Sequence, residues 1–377
     1  MPVADAQAEP TIASRLPGFP WDRLAPASAL AAAHPDGIAD LSIGTPVDPV
    51  PAIVQEALAS AANSPGYPLT RGTPALRAAA ARWLARRHGV AANPDAVLPL
   101  IGTKELIAWL PTLLGCGPGD VVSFPELAYP TYDIGARFAG AQAVATDEPD
   151  AEGASPVRLA WLNSPSNPTG RVLAPTRMRE LVGWARRAGT VLASDECYID
   201  LGFDAVPVSL LHPDVCGPSH AGLLAVYSLS KRSNLAGYRA GFVTGDPDLV
   251  AALLEIRKHA GMMVPAPVQV AMIAALDDDD HAGEQHARYA RRREVLRPAL
   301  EQAGWLVSHS QAGLYLWAAH PAYDCWSAAE LLAAEGGILV APGELYGPAG
   351  KHHVRVALTA TDERVAAAAA RLPKLRS

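Results

Sequence analysis

The stretch YSLSKRSNLAGYRAGF, residues 227–242, ends an apolar run in two hydroxyls, a lysine and, eight residues after the lysine, an arginine. Ser228, Ser230, Lys231 and Arg239 at that spacing put an amine nucleophile beside a polar, cationic cup. A lysine desolvated near other cations loses its proton readily, as Schiff-base chemistry requires. A second run, LASDECYID, ends in Asp195 and Glu196. Carboxylates at the end of a buried strand need a positive partner, which Lys231 and Arg239 can supply. A third, IGTKELIAWL, places Gly102 in a turn that opens a helix, so the amides of Thr103 and Lys104 face whatever anion sits there. The plainer alternative makes Thr103 an ordinary N-cap. A fourth, LNSPSNPTG, closes a strand with Asn167, either as turn chemistry or as a hydrogen-bonding group of a site.

The elements that must carry these groups alternate in type. Residues 121–126, 141–146, 158–165, 190–198 and 223–230 read as strands, as does AVLPLI before Gly102. Amphipathic segments lie between several of them; PTRMRELVGWARRAG has Met178, Leu181, Val182 and Ala185 at helical spacing. Strand and helix alternating, with apolar strands, predict an α/β fold whose largely parallel sheet is covered on both faces. Such sheets bind ligands beyond the carboxyl ends of their strands, where the residues above stand. After residue 262 the pattern changes to a charged helix followed by GLYLWA, GILVAPG and HHVRVAL, a smaller α+β domain. The expected division is an N-terminal arm over 1–45 joining the small domain, a large domain over 46–262 and the small domain over 263–377.

Composition narrows the partners. The 31 Lys and Arg are scattered among 38 Asp and Glu for a net charge of −7, so no basic stripe exists for nucleic acid or an anionic membrane. The start of the chain lacks a basic segment leading into an apolar core, so no secretory signal is expected. AGMMVPAPVQVAMIAAL holds two prolines and a glutamine, and predicts a buried helix with a kinked entry rather than a membrane span. Cys116, Cys197, Cys216 and Cys325 lie far apart with no C-x-x-C pair, and read as free thiols of a cytoplasmic protein. GCGPGD and GPAGKH resemble nucleotide loops but have the wrong spacing. DDDDH reads as a solvated loop, and no metal site is expected.

An amine, a carboxylate and an anion cup are together what pyridoxal phosphate needs. SLSKRSNLAGYRAG also resembles the lysine-attachment pattern of class I and II aminotransferases of PLP fold type I. GYPLTRGTPALR, GTKE, AYPTYD, NSPSNPTG, SDECY and HHVRVAL follow in that family's order and approximate spacing. The resemblance implies an aspartate-aminotransferase-like fold, with a mostly parallel seven-stranded sheet in the large domain. It implies that Lys231 would form the Schiff base and move protons, and that Asp195 would pair with the pyridine nitrogen. Asn167 and Tyr198 would bind the ring oxygen, and Tyr129 would stack on the ring. Gly102, Thr103, Lys104, Ser228, Ser230 and Arg239 would form the phosphate site. Tyr67 would reach the neighbouring subunit's phosphate, which implies a homodimer with shared sites. Arg355 would grip the substrate carboxylate, with Gly44 leaving room beside it. LPGFPWDRL, LPLIGTKELIAWLP and FPELAYPTYDIGARFAGA further resemble actinobacterial N-succinyldiaminopimelate aminotransferases. That likeness implies glutamate as donor and N-succinyl-2-amino-6-oxopimelate as acceptor; Arg71, Arg232 and Arg257 are candidates for its distal groups. The alternatives are another donor such as aspartate or an aromatic amino acid, or a C–S lyase of the same fold. A PLP-binding transcription regulator would need a DNA-binding module, for which no room precedes the motifs.

Overall fold

The computed structural model describes residues 11–152 and 155–375, so the first ten residues of the expected arm lie outside the described residues. The large sheet comprises β1 (Val97–Ile101), β2 (Val121–Phe124), β3 (Gln142–Ala145), β4 (Val157–Asn163), β5 (Val191–Asp195), β6 (Leu223–Ser228) and β7 (Ala240–Gly245). Their spatial order is β1-β7-β6-β5-β4-β2-β3. Every pairing is parallel except the two made by β7, so the mostly parallel seven-stranded sheet is as expected. Sequence reasoning identified six of these strands; β7 was hidden inside the lysine-bearing stretch.

The strands are apolar on both faces because both faces are covered. Along β6, Leu223, Ala225 and Tyr227 join one core, and Leu224 and Val226 join another on the opposite face. The period of two that defines a strand thus separates two cores. One core also takes Leu76, Trp83 and Leu84 of helix α1 (Pro74–His88); the other takes Leu106 and Leu110 of α2 (Thr103–Leu113) and Tyr132 of α3 (Thr131–Ala139). Local signals set the helix ends. Thr73 accepts the Leu76 amide, Pro74 opens α1, and Gly89 at φ 64° ends it.

The second sheet comprises β8 (Leu306–Ser308), β9 (Tyr315–Ala319), β10 (Ala341–Pro342) and β11 (His353–Ala357), in the antiparallel order β10-β11-β9-β8. The described part of the arm packs beside it: Ala39–Asp40 forms a separate parallel pair with Ile338–Leu339, and Leu24 packs with Trp317. The buried helix expected from AGMMVPAPVQVAMIAAL is α4 (Ala266–Asp277), and its Ala271, Met272, Ala275 and Leu276 belong to the large-domain core. We therefore place the start of the small domain at the following helix, α5 (Asp280–Gln302), rather than at 263. The aspartates between them are more than a solvated loop. Asp277 pairs with Arg82, Asp279 with Arg86 and Asp278 with His281.

Candidate active site

A cavity of about 490 Å³ opens at the carboxyl edge of the large sheet. Register explains what gathers there. Asn163 and Asp195 are cross-strand partners at the ends of β4 and β5, and β6 ends beside them in Ser228. Because β7 runs the other way, its beginning lies at this same edge: Gly241 pairs with Ser228 and Ala240 with Ile101. Arg239, just before β7, therefore meets the residues that follow the parallel strands.

At one end of the cavity the chain forms an anion cradle. Gly102, at φ 74°, caps α2 without any side-chain hydrogen bond to the first-turn amides. Thr103 is thus not the N-cap; its hydroxyl lies 3.3 Å from the Cys197 thiol. A Cβ on residue 102 would fall 2.2 Å from Arg239 Nη2, so only glycine lets the guanidinium lie against the turn. Thr103, Lys104, Ser228, Ser230 and Arg239 line the cavity together. Ser228 Oγ accepts the Ser230 amide and caps the single turn Leu229–Arg232, which presents Lys231. Lys231 Nζ donates to the Gly44 carbonyl. Burial, reinforced by the charges of Arg355 and Arg239, pushes its pKa below that of an ordinary lysine.

The carboxylate departs from expectation. Among the described residues no cation faces Asp195: Tyr132 Oη donates to its Oδ2 at 2.9 Å and the Cys197 amide to its Oδ1 at 3.1 Å. Burial raises its pKa, and these two hydrogen bonds only partly offset that. Glu196 turns away into the core, where it accepts the Leu210 amide at 2.7 Å. Lys231 Nζ is turned to the Gly44 carbonyl and Arg239 Nη1 to the Ala236 carbonyl, so neither pairs with these carboxylates.

On the small-domain side, Arg355 is 2% exposed. Its Nη1 donates to Asn167 Oδ1 at 2.8 Å and its Nη2 to the Ser42 carbonyl at 2.6 Å, while Nε has no partner. The guanidinium lies 3.9 Å from the Tyr315 ring centroid. Tyr198 and Tyr315 hydroxyls are 3.1 Å apart, and Tyr129 and Gly44 complete this wall. A Cβ at residue 44 would collide with Tyr315 Oη at 2.0 Å. Tyr67 is not brought in; it stands 95% exposed, outside the cavity. Arg71, Arg232 and Arg257 are not there either. They are committed to Asp95, Asp200 and Glu105 respectively.

Sequence reasoning missed five groups: Trp21, Asn163, Cys197 and Tyr315 line the cavity, and Tyr132 holds Asp195 from behind. Asn163 was visible as the last strand residue of LNSPSNPTG; its Nδ2 donates to the Asp195 carbonyl at 3.0 Å, and its Oδ1 accepts the Asn167 amide at 2.7 Å. Trp21 and Tyr315 carried no local signal, since only folding brings the arm and the second sheet to the cavity.

This donor set fits pyridoxal phosphate. A buried carboxylate facing no cation suits a protonated ring nitrogen, the uncapped helix start with Arg239 suits a phosphate, and a depressed lysine suits an aldehyde. Comparison with known proteins points the same way. Residues 36–372 match the family "Aminotransferase class I and II". The chain is 62% identical over 357 residues to 4-dedimethylamino-4-oxo-anhydrotetracycline transaminase OxyQ of Streptomyces rimosus, covering 95% of this chain and 99% of that one. An aminotransferase from Neisseria meningitidis superposes with a TM-score of 0.90 at 32% identity, over 97% of this chain and 100% of that one. A probable N-succinyldiaminopimelate aminotransferase from Thermus thermophilus superposes with a TM-score of 0.85 at 30% identity, over 95% and 100%. Among the described residues no helix is long and apolar enough to cross a membrane. The chain belongs to the class I and II aminotransferases, a pyridoxal-phosphate-dependent family.

Proposed function

We propose that this aminotransferase moves the amino group of glutamate onto N-succinyl-2-amino-6-oxopimelate, giving N-succinyl-LL-2,6-diaminopimelate and 2-oxoglutarate, and works as a homodimer. The observation that carries this reading is the charge of the cavity. Among its lining residues four are cations, Lys104, Lys231, Arg239 and Arg355, against the single carboxylate of Asp195. Lys231 is disposed to neutrality by burial, Arg239 serves the phosphate and Arg355 one carboxylate; Lys104, whose amide alone serves the phosphate, leaves its ammonium for a second carboxylate. The likeness to the Thermus protein supports the same acceptor.

Bound pyridoxal phosphate supplies a carbonyl that links to the substrate nitrogen and a ring that withdraws electrons from the adjacent carbon. This chain's residues do the rest. Asp195 holds the proton on the ring nitrogen, with Tyr132 fixing the carboxylate. Thr103, Lys104, Ser228, Ser230 and Arg239 would hold the phosphate, Tyr129 would stack on the ring, and Asn167 and Tyr198 would bind its oxygen. Lys231 Nζ, disposed to neutrality by burial, takes the proton from the substrate carbon and returns it on the other side of the transfer. Arg355 offers its unspent Nε–H to the α-carboxylate; its planar fork suits two oxygens at once. The space left by Gly44 admits the substrate beside it. Tyr67, 95% exposed, is the residue offered to a second copy's phosphate.

A second reading, transfer to a polycyclic ketone, is favoured by the 62% identity to OxyQ. Half-reactions separate the two. Cofactor-loaded enzyme is mixed with glutamate, aspartate and N-succinyl-LL-diaminopimelate, and the visible band of the bound cofactor is followed. Glutamate and the succinylated diamine are expected to bleach it. Bleaching by glutamate alone refutes the proposed acceptor, and a monomer on size-exclusion chromatography refutes the shared site.

A further inference from the structure

Behind the lysine-bearing turn lies a buried charged cluster that the site chemistry does not use. Arg232, next to Lys231, has a side chain only 3% exposed, and its Nε donates to Asp200 Oδ2 at 2.6 Å. Its Nη1 also donates to the Ala275 carbonyl at 2.7 Å on α4 and to Ser233 Oγ at 3.2 Å. The guanidinium lies 5.4 Å from the Trp83 ring. Asp200, 6% exposed, has His88 Nε2 of α1 at 3.1 Å from its other oxygen. Burial opposes its ionisation, but His88 and Arg232 outweigh that and hold its pKa well below the usual carboxylate range.

The ion pair joins two walls of the cavity. Asp200 closes the segment after β5 that supplies Cys197 and Tyr198 and continues from Asp195, and Arg232 closes the turn after β6 that supplies Lys231. That turn is four residues long, with one capping hydrogen bond, from the Ser230 amide to Ser228 Oγ, at its start. A structure so short cannot fix a lysine by its own hydrogen bonds. We propose that Asp200 and Arg232 are positioning residues for the transamination: their buried pair sets the distance between the lysine wall and the Asp195–Tyr198 wall. An arginine is needed because acceptors from two other segments, Asp200 and Ala275, and the adjoining Ser233 converge on one guanidinium. The inference rests on Lys231 as the reacting lysine.

The test uses cofactor-loaded enzyme and the variants Arg232→Met, Asp200→Asn and the double variant. Each single change is expected to lower kcat about 10- to 100-fold, the scale of a misplaced reacting group, with KM for glutamate within about threefold. Each single also strips the nearest partner from a buried charge, leaving Asp200 to His88 and Arg87 or Arg232 to Asp279 at 3.9 Å, so their urea midpoints fall. The double variant removes both buried charges, and its midpoint is expected to recover towards the parent while its kcat stays low. Recovery of kcat along with the midpoint makes the pair merely structural and overturns the proposal. Should the singles fail to fold, Arg232→Lys keeps the charge but cannot reach all three acceptors; an unchanged kcat there overturns it equally. Lys231→Ala tests the underlying reading separately: cofactor still fixed to that variant by borohydride refutes the role of Lys231 whatever the pair does.

Discussion

Gly102 is the point where backbone shape, a cation and the proposed phosphate site depend on one hydrogen atom. An alanine there puts its Cβ 2.2 Å from Arg239 Nη2 and 2.6 Å from Cζ. Ordinary contact begins near 3.4 Å, so the guanidinium must retreat by about 1 Å, enough to break a hydrogen bond. The substitution also forces a side chain into φ 74°, ψ 150°, a region essentially reserved for glycine, which costs about 1–3 kcal/mol. Gly115 separates the two effects, because it has the same φ of 74° and nothing within 4 Å of its would-be Cβ. Gly115→Ala therefore places a side chain at positive φ with no collision, as a control for the positive φ. A charge-assisted hydrogen bond is worth about 1.5–3 kcal/mol, so losing Arg239 from the phosphate weakens cofactor binding about 10- to 150-fold. The assay is titration of the cofactor-free protein with pyridoxal phosphate, read by absorbance or by quenching of tryptophan fluorescence. Gly102→Ala is expected to lose affinity on that scale and Gly115→Ala to match the parent. Affinities for the two variants within about threefold of each other refute the assignment of Arg239 and the α2 start as the phosphate cradle.

Three further outcomes follow from the geometry. Arg355→Lys keeps the charge but loses the planar fork shared by Asn167, Ser42 and the substrate; kcat/KM for glutamate should fall at least about 30-fold, 2 kcal/mol or more, with cofactor affinity unchanged. Burial pushes Glu196 up to about 7 from 4.5, so folding favours its protonated form; stability is full below pH 4.5 and falls as pH rises towards 7. At 1.36 kcal/mol per pH unit, Glu196→Gln should gain about 3 kcal/mol over the parent at pH 8 relative to pH 4, read from urea midpoints. Asp195 has its pKa raised by burial with no cation opposite, so in cofactor-free protein Asp195→Asn should raise the melting temperature at pH 8. The same variant should lose turnover about 100-fold or more, because an amide does not hold the ring nitrogen's proton.

The sequence by itself carried the strand-ending groups, because alternation of apolar runs with amphipathic helices is local and a polar residue at the end of such a run is conspicuous. Lys231, Asp195, Asn167 and the Gly102 turn were legible on that ground, as was a parallel sheet apolar on both faces. β7 was not: its apolar residues follow a glycine-containing turn directly, and only pairing with β1 and β6 shows that it reverses direction. That reversal brings Arg239 to the carboxyl edge. Tertiary structure also decided the electrostatics. Charge balance along the chain suggested a lysine or arginine for Asp195, whereas packing gave it Tyr132 from α3 and sent Arg232 to Asp200. Local pattern fixes which residues are buried on a strand or a helix face. It cannot fix which buried charge meets which, since partners such as Arg355 and Asn167 stand 188 positions apart and only the closed fold brings them within 2.8 Å.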